Sequence, residues 1–314
     1  MTRMATRHIA NSVISFFILF SFFGYKVTEK KVLFQRKVWH CNHSSIFFLT
    51  FVHMKTKWML PLALLVLFVA CGRKWPQHTF IHEVLLPMTP VKDQGKTELC
   101  WAYAMLATIE TEHILRGDSV NLSPVYIGRM LADYPSPNKE HPQRAMGQTL
   151  LNMIGRYGIV GYDVMPDDAT PDLPTPQWVF MLGARYTPQE FAHSVCEPDE
   201  YLSLTCWPDS PYYQKVEVQV PDNWEHNRLL NVPLDTLKAH VDWALRHRHP
   251  VCWESRGHAM EVVGLARDEA QRPYYVMKNS WGTDRPYGGL VYVSARKMWK
   301  DMIAIYMTKT AYEQ

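Results

Sequence analysis

A glutamine followed six positions later by a cysteine at the head of an apolar run is the pattern in this chain that can do chemistry: residues 93–111 read DQGKTELCWAYAMLATIET. The run from Cys100 predicts a helix over 100–116, stopped at Gly117. A cysteine at a helix start meets free backbone N–H groups and the positive end of the helix dipole. Both favour the thiolate, the form that attacks. Gln94, one short loop upstream, can place its carboxamide beside that sulfur and donate to the oxyanion of a tetrahedral intermediate. A plainer alternative fits the same residues: a small buried hydrophobe packed beside Trp101. The rest of the chain has to decide between them.

A nucleophilic cysteine requires a base, and the base an orienting partner. The stretch 256–264, RGHAMEVVG, puts His258 at the head of a strand-type run, and 274–283, YYVMKNSWGT, puts Asn279 at the end of another. Two adjacent antiparallel strands would set His258 beside Asn279. Asn279 would take one ring nitrogen and leave the other for Cys100, with Trp281 shielding the bond from water. Gly147, at a predicted helix start, is a candidate for close approach of a substrate backbone.

Gln94, Cys100-Trp101, His258-Ala259 and Asn279-Ser280-Trp281-Gly282, in this order, resemble the papain-like cysteine peptidases over roughly residues 86–310. The bleomycin hydrolase and bacterial aminopeptidase C branch is the nearer likeness. His258-Ala259-Met260, YLSLTCWPDSPYYQKVEVQV, LLNVPLDTLKAHV and KMWKDMIAIYMTK carry it. The resemblance implies an α+β fold of two lobes, helical first and β-rich second, with the site in the cleft between. It implies a thiol peptidase acting on a peptide or protein through an acyl-enzyme on Cys100, without a cofactor. His258 would move the proton, Asn279 orient it, and Gln94 with the Cys100 N–H hold the oxyanion; Gly147 and Trp281 would meet the substrate. The alternative is a silent copy of the fold serving as a binding module at the cell envelope. In that branch the C-terminal tail enters the cleft and limits cleavage to the substrate's N-terminus, and 308–314 has the length to do so.

The chain departs from the family pattern in places. Thr97-Glu98-Leu99 stands where the family has Cys-Gly-Ser, so the usual disulfide partner at 97 is missing, and Glu98 brings a negative charge towards the thiolate. Only four residues separate Trp253 from His258, where relatives carry a longer insertion that walls the leaving-group side. Its loss implies an open primed side.

At 314 residues and 47% hydrophobic content the chain has ample material for a core; a net charge of +3 argues neither way, and no Lys/Arg run interleaved with aromatics marks a nucleic-acid partner. No Cys-x-x-Cys or His-Glu-x-x-His pattern marks a metal site. Arg246-His247-Arg248-His249 reads as a solvated helix C-terminus, and Glu254 and Glu261 as solvent-facing strand positions. Of the six cysteines, Cys196 and Cys206 either pair or stay free, and Cys252 reads as core.

Residues 54–71, MKTKWMLPLALLVLFVAC, form a secretory signal ending on a lipidation cysteine, Cys71. This predicts a lipid-anchored protein of a bacterial cell envelope, the periplasmic face favoured because Gly72-Arg73-Lys74 is not acidic. Residues 1–53 then read as an extension from an upstream start, 72–85 as a tether, and 86–314 as the peptidase domain. Oligomeric state is not legible. Further helices are expected from Pro124, over 147–157, across 179–205 and over 233–246. A polar loop is expected over 131–146 and a second over 163–178. Strands are expected at 215–220, 250–254, 259–264, 274–279 and 289–294.

Overall fold

Residues 78–135 and 144–313 are described by a computed structural model, helical in their first part and β-rich from Tyr201 onward. The expectations for 1–53, for the signal 54–71 and for lipidation at Cys71 lie outside the described residues. The elements run β1 (Phe80–Leu85), α1 (Cys100–Arg116), α2 (Pro124–Asp133), α3 (Gly147–Tyr157), β2 (Val179–Met181), β3 (Ala184–Tyr186) and α4 (Pro188–Val195). They continue with β4 (Tyr201–Thr205), β5 (Lys215–Glu217), β6 (Arg228–Asn231), α5 (Leu234–Arg246), β7 (Val251–Ser255), β8 (His258–Asp268) and β9 (Pro273–Lys278). A short 3-10 turn precedes β10 (Leu290–Ser294), α6 (Ala295–Asp301), β11 (Met302–Thr308) and α7 (Lys309–Tyr312).

The helix ends follow local chemistry. Gly117 ends α1 in the left-handed conformation, with φ 88, and its N–H returns to Ile114 O. Ser123 caps α2 by accepting from Tyr126 N, and Pro124 fills its first turn. Nine strands form one sheet in the order β10-β9-β8-β7-β11-β4-β6-β5, with β1 also on β8. The first half of β8 pairs with β7, and the second half with β1. Residues 80–85 are therefore sheet, so the expected tether over 72–85 ends before Phe80.

Two cores lie against this sheet. Strand alternation divides them: Cys252 and Tyr306 join the helices α1–α3, whereas Trp253, Ile305 and Met307 join α5. The α+β architecture expected from the sequence is the architecture present.

The helix expected over 179–205 is replaced by a hairpin, a short helix and a strand. Leu182 and Gly183, at φ 50 and 78, make a two-residue turn that joins β2 to β3. Thr187 and Glu190 then form a capping box that starts α4. The loop over 163–178 is present, and the other runs expected to be strands are occupied by β5, β7, β8, β9 and β10. Cys196 and Cys206 are both free thiols, and Cys252 is core. Glu254 and Glu261, expected at the surface, are buried on the side of β7 and β8 that faces α1 and its neighbours.

A buried polar network ties α1 to the sheet. The Glu110 carboxylate accepts from Lys92 Nζ, from Thr89 Oγ1 and from the Leu122 N–H, the last at 2.6 Å. Lys278 Nζ donates to Thr89 Oγ1 at 2.8 Å and lies 3.6 Å from Glu261. Replacing Glu110 by Ala strands the Lys92 ammonium in a largely dry site, and should cost about 3–5 kcal/mol in urea denaturation. A loss below about 1 kcal/mol would mean that water replaces the carboxylate.

Candidate active site

Cys100 sits at the first turn of α1 because the preceding loop is pinned. Gly95, at φ 58, turns the chain, and its N–H donates to Asp93 Oδ1. Gln94 N donates to Ser280 O at 2.9 Å, and Ser280 Oγ donates to Gln94 Oε1 at 2.6 Å. Gln94 Nε2 donates to Thr97 O at 2.6 Å. A carboxamide nitrogen carries two protons, so one remains for another acceptor. The loop carrying Gln94 and the loop carrying Asn279 are thus one hydrogen-bonded unit.

His258 and Asn279 are brought together as the strand reading requires. His258 Nε2 lies 2.8 Å from Asn279 Oδ1, and Ser280 N donates to the same oxygen at 2.8 Å. Two donors on one atom identify it as the carboxamide oxygen, so Nε2 carries the proton and Nδ1 of the neutral ring is an acceptor. The Trp281 indole stacks on the imidazole at 5.0 Å between centroids, 44% exposed itself. The backbone N–H groups of Ala259, the residue after His258, and of Trp101 lie near enough to Cys100 to favour its thiolate. This sets the sulfur at the head of β8.

Burial opposes the thiolate that the helix start favours. Cys100 is 2% exposed, and desolvation pushes its thiol above the usual range. The Arg144 guanidinium and the two N–H donors pull it down, while the Glu254 carboxylate pushes it up. The acidic neighbour is therefore Glu254, whereas Glu98 is exposed. Desolvation likewise lowers His258; the Asn279 bond raises it and Arg144 lowers it further. Both influences favour a neutral thiol beside a neutral imidazole.

Gly147 opens α3, and a Cβ there would meet the Tyr306 ring at 2.8 Å, so the glycine makes room for that ring. Its N–H donates to Glu254 Oε2 at 3.3 Å, and Tyr306 Oη donates to the same oxygen at 2.6 Å. Burial pushes the Glu254 carboxyl up to about 7. Reading the sequence gave Ser280 no role beyond its place in the motif, and missed Arg144 and this buried carboxyl. Alternation could have found Glu254, since Cys252 and Glu254 share a face of β7. Arg144 ends a polar loop and carries no pattern of its own.

The described part of the C-terminal tail, residues 308–313, lies away from Cys100. Thr308 caps α7, Lys309 N donates to Glu200 O at 2.8 Å, Ala311 is buried and Tyr312 stacks on His240 of α5. Lys309 and Thr310 line a cavity of about 650 Å³ with Glu112, Arg116 and His249. Arg116 and Cys100 are opposite ends of a 17-residue helix, so this cavity lies roughly 25 Å from the sulfur. His249, expected in solvent, is partly buried there with Nδ1 2.9 Å from Glu112. No group of three or more His, Cys, Asp or Glu that could hold a metal occurs among the described residues.

No family model matches the chain. Ananain of Ananas comosus is 24% identical over 212 residues, 65% of this chain and 52% of that protein. The probable cysteine protease RD19C of Arabidopsis thaliana is 20% identical over 202 residues, 62% and 50% of the two chains. The chain thus spans about half the length of the curated relatives it matches. PepW of Lactobacillus rhamnosis HN001 superposes with a TM-score of 0.57 at 16% identity, over 87% of this chain and 93% of that one, and shares the fold.

Because burial dominates at Cys100, its alkylation by iodoacetamide, mapped by mass spectrometry, should still accelerate with pH above 9, the ordinary thiol value. A plateau reached below neutrality would show that the helix dipole and His258 outweigh desolvation.

Proposed function

We propose that the chain is a papain-like thiol peptidase acting through Cys100. The observation that carries this reading is the His258–Asn279 bond, which leaves Nδ1 as an acceptor, with the backbone N–H of the next residue, Ala259, favouring the Cys100 thiolate. Cys100 Sγ bonds to the scissile carbonyl carbon as its proton passes to His258 Nδ1. The oxyanion is met by Gln94 Nε2 and the Cys100 N–H. On collapse the C–N bond breaks and His258 returns the proton to the leaving amine. Water then adds to the thioester, again giving a proton to His258; the C–S bond breaks and the thiol is restored. Since Asn279 Oδ1 accepts only, it orients the ring without titrating.

The position of α7 favours an endopeptidase over cleavage limited by the tail, because residues 308–313 are held against α5 and Glu200. The two-residue β7–β8 turn supports an open leaving-group side. An N-blocked peptide should therefore be cleaved at least as well as a free amino-acid amide, and Cys100→Ala should abolish both activities with the fold intact. Residual turnover in the Ala variant would remove Cys100 as nucleophile. Gln94→Ala should lower kcat by about 10²–10³ with KM little changed; an unaltered kcat would exclude Gln94 from the oxyanion site.

The same protein is proposed to be exported and lipid-anchored at Cys71, on the periplasmic side of a bacterial envelope. The support is the signal-type sequence 54–71 alone. Expressed in bacteria from Met54, Cys71→Ser should move from the membrane to the soluble fraction, since stable anchoring takes more than one acyl chain. Retention of the Ser variant at high salt would favour an uncleaved hydrophobic anchor.

A further inference from the structure

Arg144 stands just before α3 and reaches to the turn that carries His258. Its backbone oxygen accepts from Trp224 Nε1 at 2.9 Å. The guanidinium lies on Asp222, with Nη2 3.2 Å and Nε 3.3 Å from Oδ2. Nη1 donates to Gly257 O at 2.6 Å. Asp222 and Trp224 belong to the connection between β5 and β6, so two other segments, that connection and the β7–β8 turn, meet at this one side chain. The β7–β8 turn consists of Arg256 and Gly257, the latter at φ 92, and His258 follows at once. A second tie at the turn runs from Ser255 Oγ to His258 O, at 3.0 Å.

We propose that Arg144 is a positioning residue of this site: anchored on Asp222, its guanidinium holds the Gly257 carbonyl, and with it the backbone that presents His258, and keeps a fixed positive charge within reach of Cys100. The inference rests on the reading of Cys100 and His258 as nucleophile and base. Its physical basis is the shortness of the turn. A two-residue connection has no loop of its own to pack against, so its orientation depends on what grips it from outside. The carbonyl immediately before His258 is the point gripped. Arg is suited to this because one planar group can hold a carboxylate through two nitrogens and still present a third to the carbonyl.

The charge acts on both members of the pair. Cys100 experiences Arg144 as a lowering influence and Glu254 as a raising one; His258 experiences Arg144 as lowering and the Asn279 bond as raising. Glu254 is itself raised by Asp222 and lowered by Arg144. Arg256, in the same turn, is exposed to solvent. A cation removed from this set lets both the thiol and the imidazole rise. The pH dependence then moves bodily upward, where a distorted site would lose rate without moving.

Two substitutions separate grip from charge. Arg144→Gln keeps an N–H donor but removes the charge; Arg144→Lys keeps the charge but loses the fork. Arg144 and Asp222 are 24% and 22% exposed, so water reaches the Asp222 carboxylate that Arg144→Gln leaves without its cation. Two profiles are measured against pH: kcat/KM for an N-blocked peptide and the alkylation rate of Cys100. In Arg144→Gln both midpoints should rise by about half a unit to one unit. In Arg144→Lys they should stay in place while kcat falls about tenfold, and Asp222→Asn, which loosens the anchor, should lower kcat without raising the midpoints. Superimposable profiles with an unchanged kcat in Arg144→Gln overturn the proposal. So does an equal upward shift in Arg144→Lys, which would trace the effect to packing. The alkylation arm reads Arg144 even in a protein that cleaves no peptide; absence of hydrolysis by the wild type would instead defeat the peptidase reading.

Discussion

The register of β8 against β9 is the constraint on which the site depends. Glu261 is level with Lys278 across the pair. Continuing that register past the last paired residues brings Asn279 level with Met260 and Trp281 level with His258. One backbone ladder thereby delivers the imidazole, its hydrogen-bond acceptor and its aromatic cover to the same edge. A slip of one residue would turn every one of these side chains to the other face. Asn279 Oδ1 then acts as the junction, taking His258 Nε2 and Ser280 N together. Ser280 passes the constraint on to Gln94 through its hydroxyl. The group proposed to hold the oxyanion and the group proposed to move the proton are therefore positioned by one strand end.

Cys100 reaches this edge by a different route. It is fixed by α1, and α1 is tied to the sheet through Glu110, Lys92, Thr89 and Lys278. These are costly groups to bury, and any one of them alone would destabilise the interior. Together they satisfy one another, and they sit beside the site: Lys278 is the last residue of β9, one before Asn279. The network sets the separation between α1, which carries Cys100, and β9, which leads into Asn279. A purely apolar contact there would permit sliding, whereas directional bonds to a carboxylate permit one arrangement.

Legibility in the sequence followed the range of the interactions. The end of α1 at Gly117 and the start of α2 at Ser123-Pro124 are decided by neighbours within one turn, and both could be read directly. The pairing of His258 with Asn279 was legible because strand-type runs place each residue at a run's end. The region 179–205 misled because its hairpin turn uses Leu182, a residue without turn preference, at positive φ. Strand β1 has a weak pattern of its own and is a strand because β8 offers it an edge. Glu254 and Glu261 look like surface residues by type. They are buried because Tyr306, Gly147 and Lys278, far away in sequence, supply their partners. Arg144 was illegible for the same reason: its anchors Asp222, Trp224 and Gly257 come from two distant segments.

The electrostatics of the cleft bear on how the chemistry would proceed. A helix N-terminus and two N–H donors favour the thiolate, but desolvation is the larger influence and pushes the thiol up, while the same desolvation pulls the imidazole down. A dry site disfavours separated charge unless something compensates it. Beside desolvation, Arg144 works for the thiolate and Glu254 against it, neither of them among the proposed catalytic residues. A pair that rests neutral, the direction desolvation favours, has to move the proton from sulfur to nitrogen as the carbon–sulfur bond forms. The negative charge then develops on the substrate oxygen instead of resting on sulfur. Stabilisation is required most at that oxygen, which places the demand on Gln94 and the Cys100 N–H. The two hydrogen bonds between the Gln94 segment and Ser280 provide the rigidity that such a donor requires, because a donor free to turn would gain little from charge that appears only at the transition state.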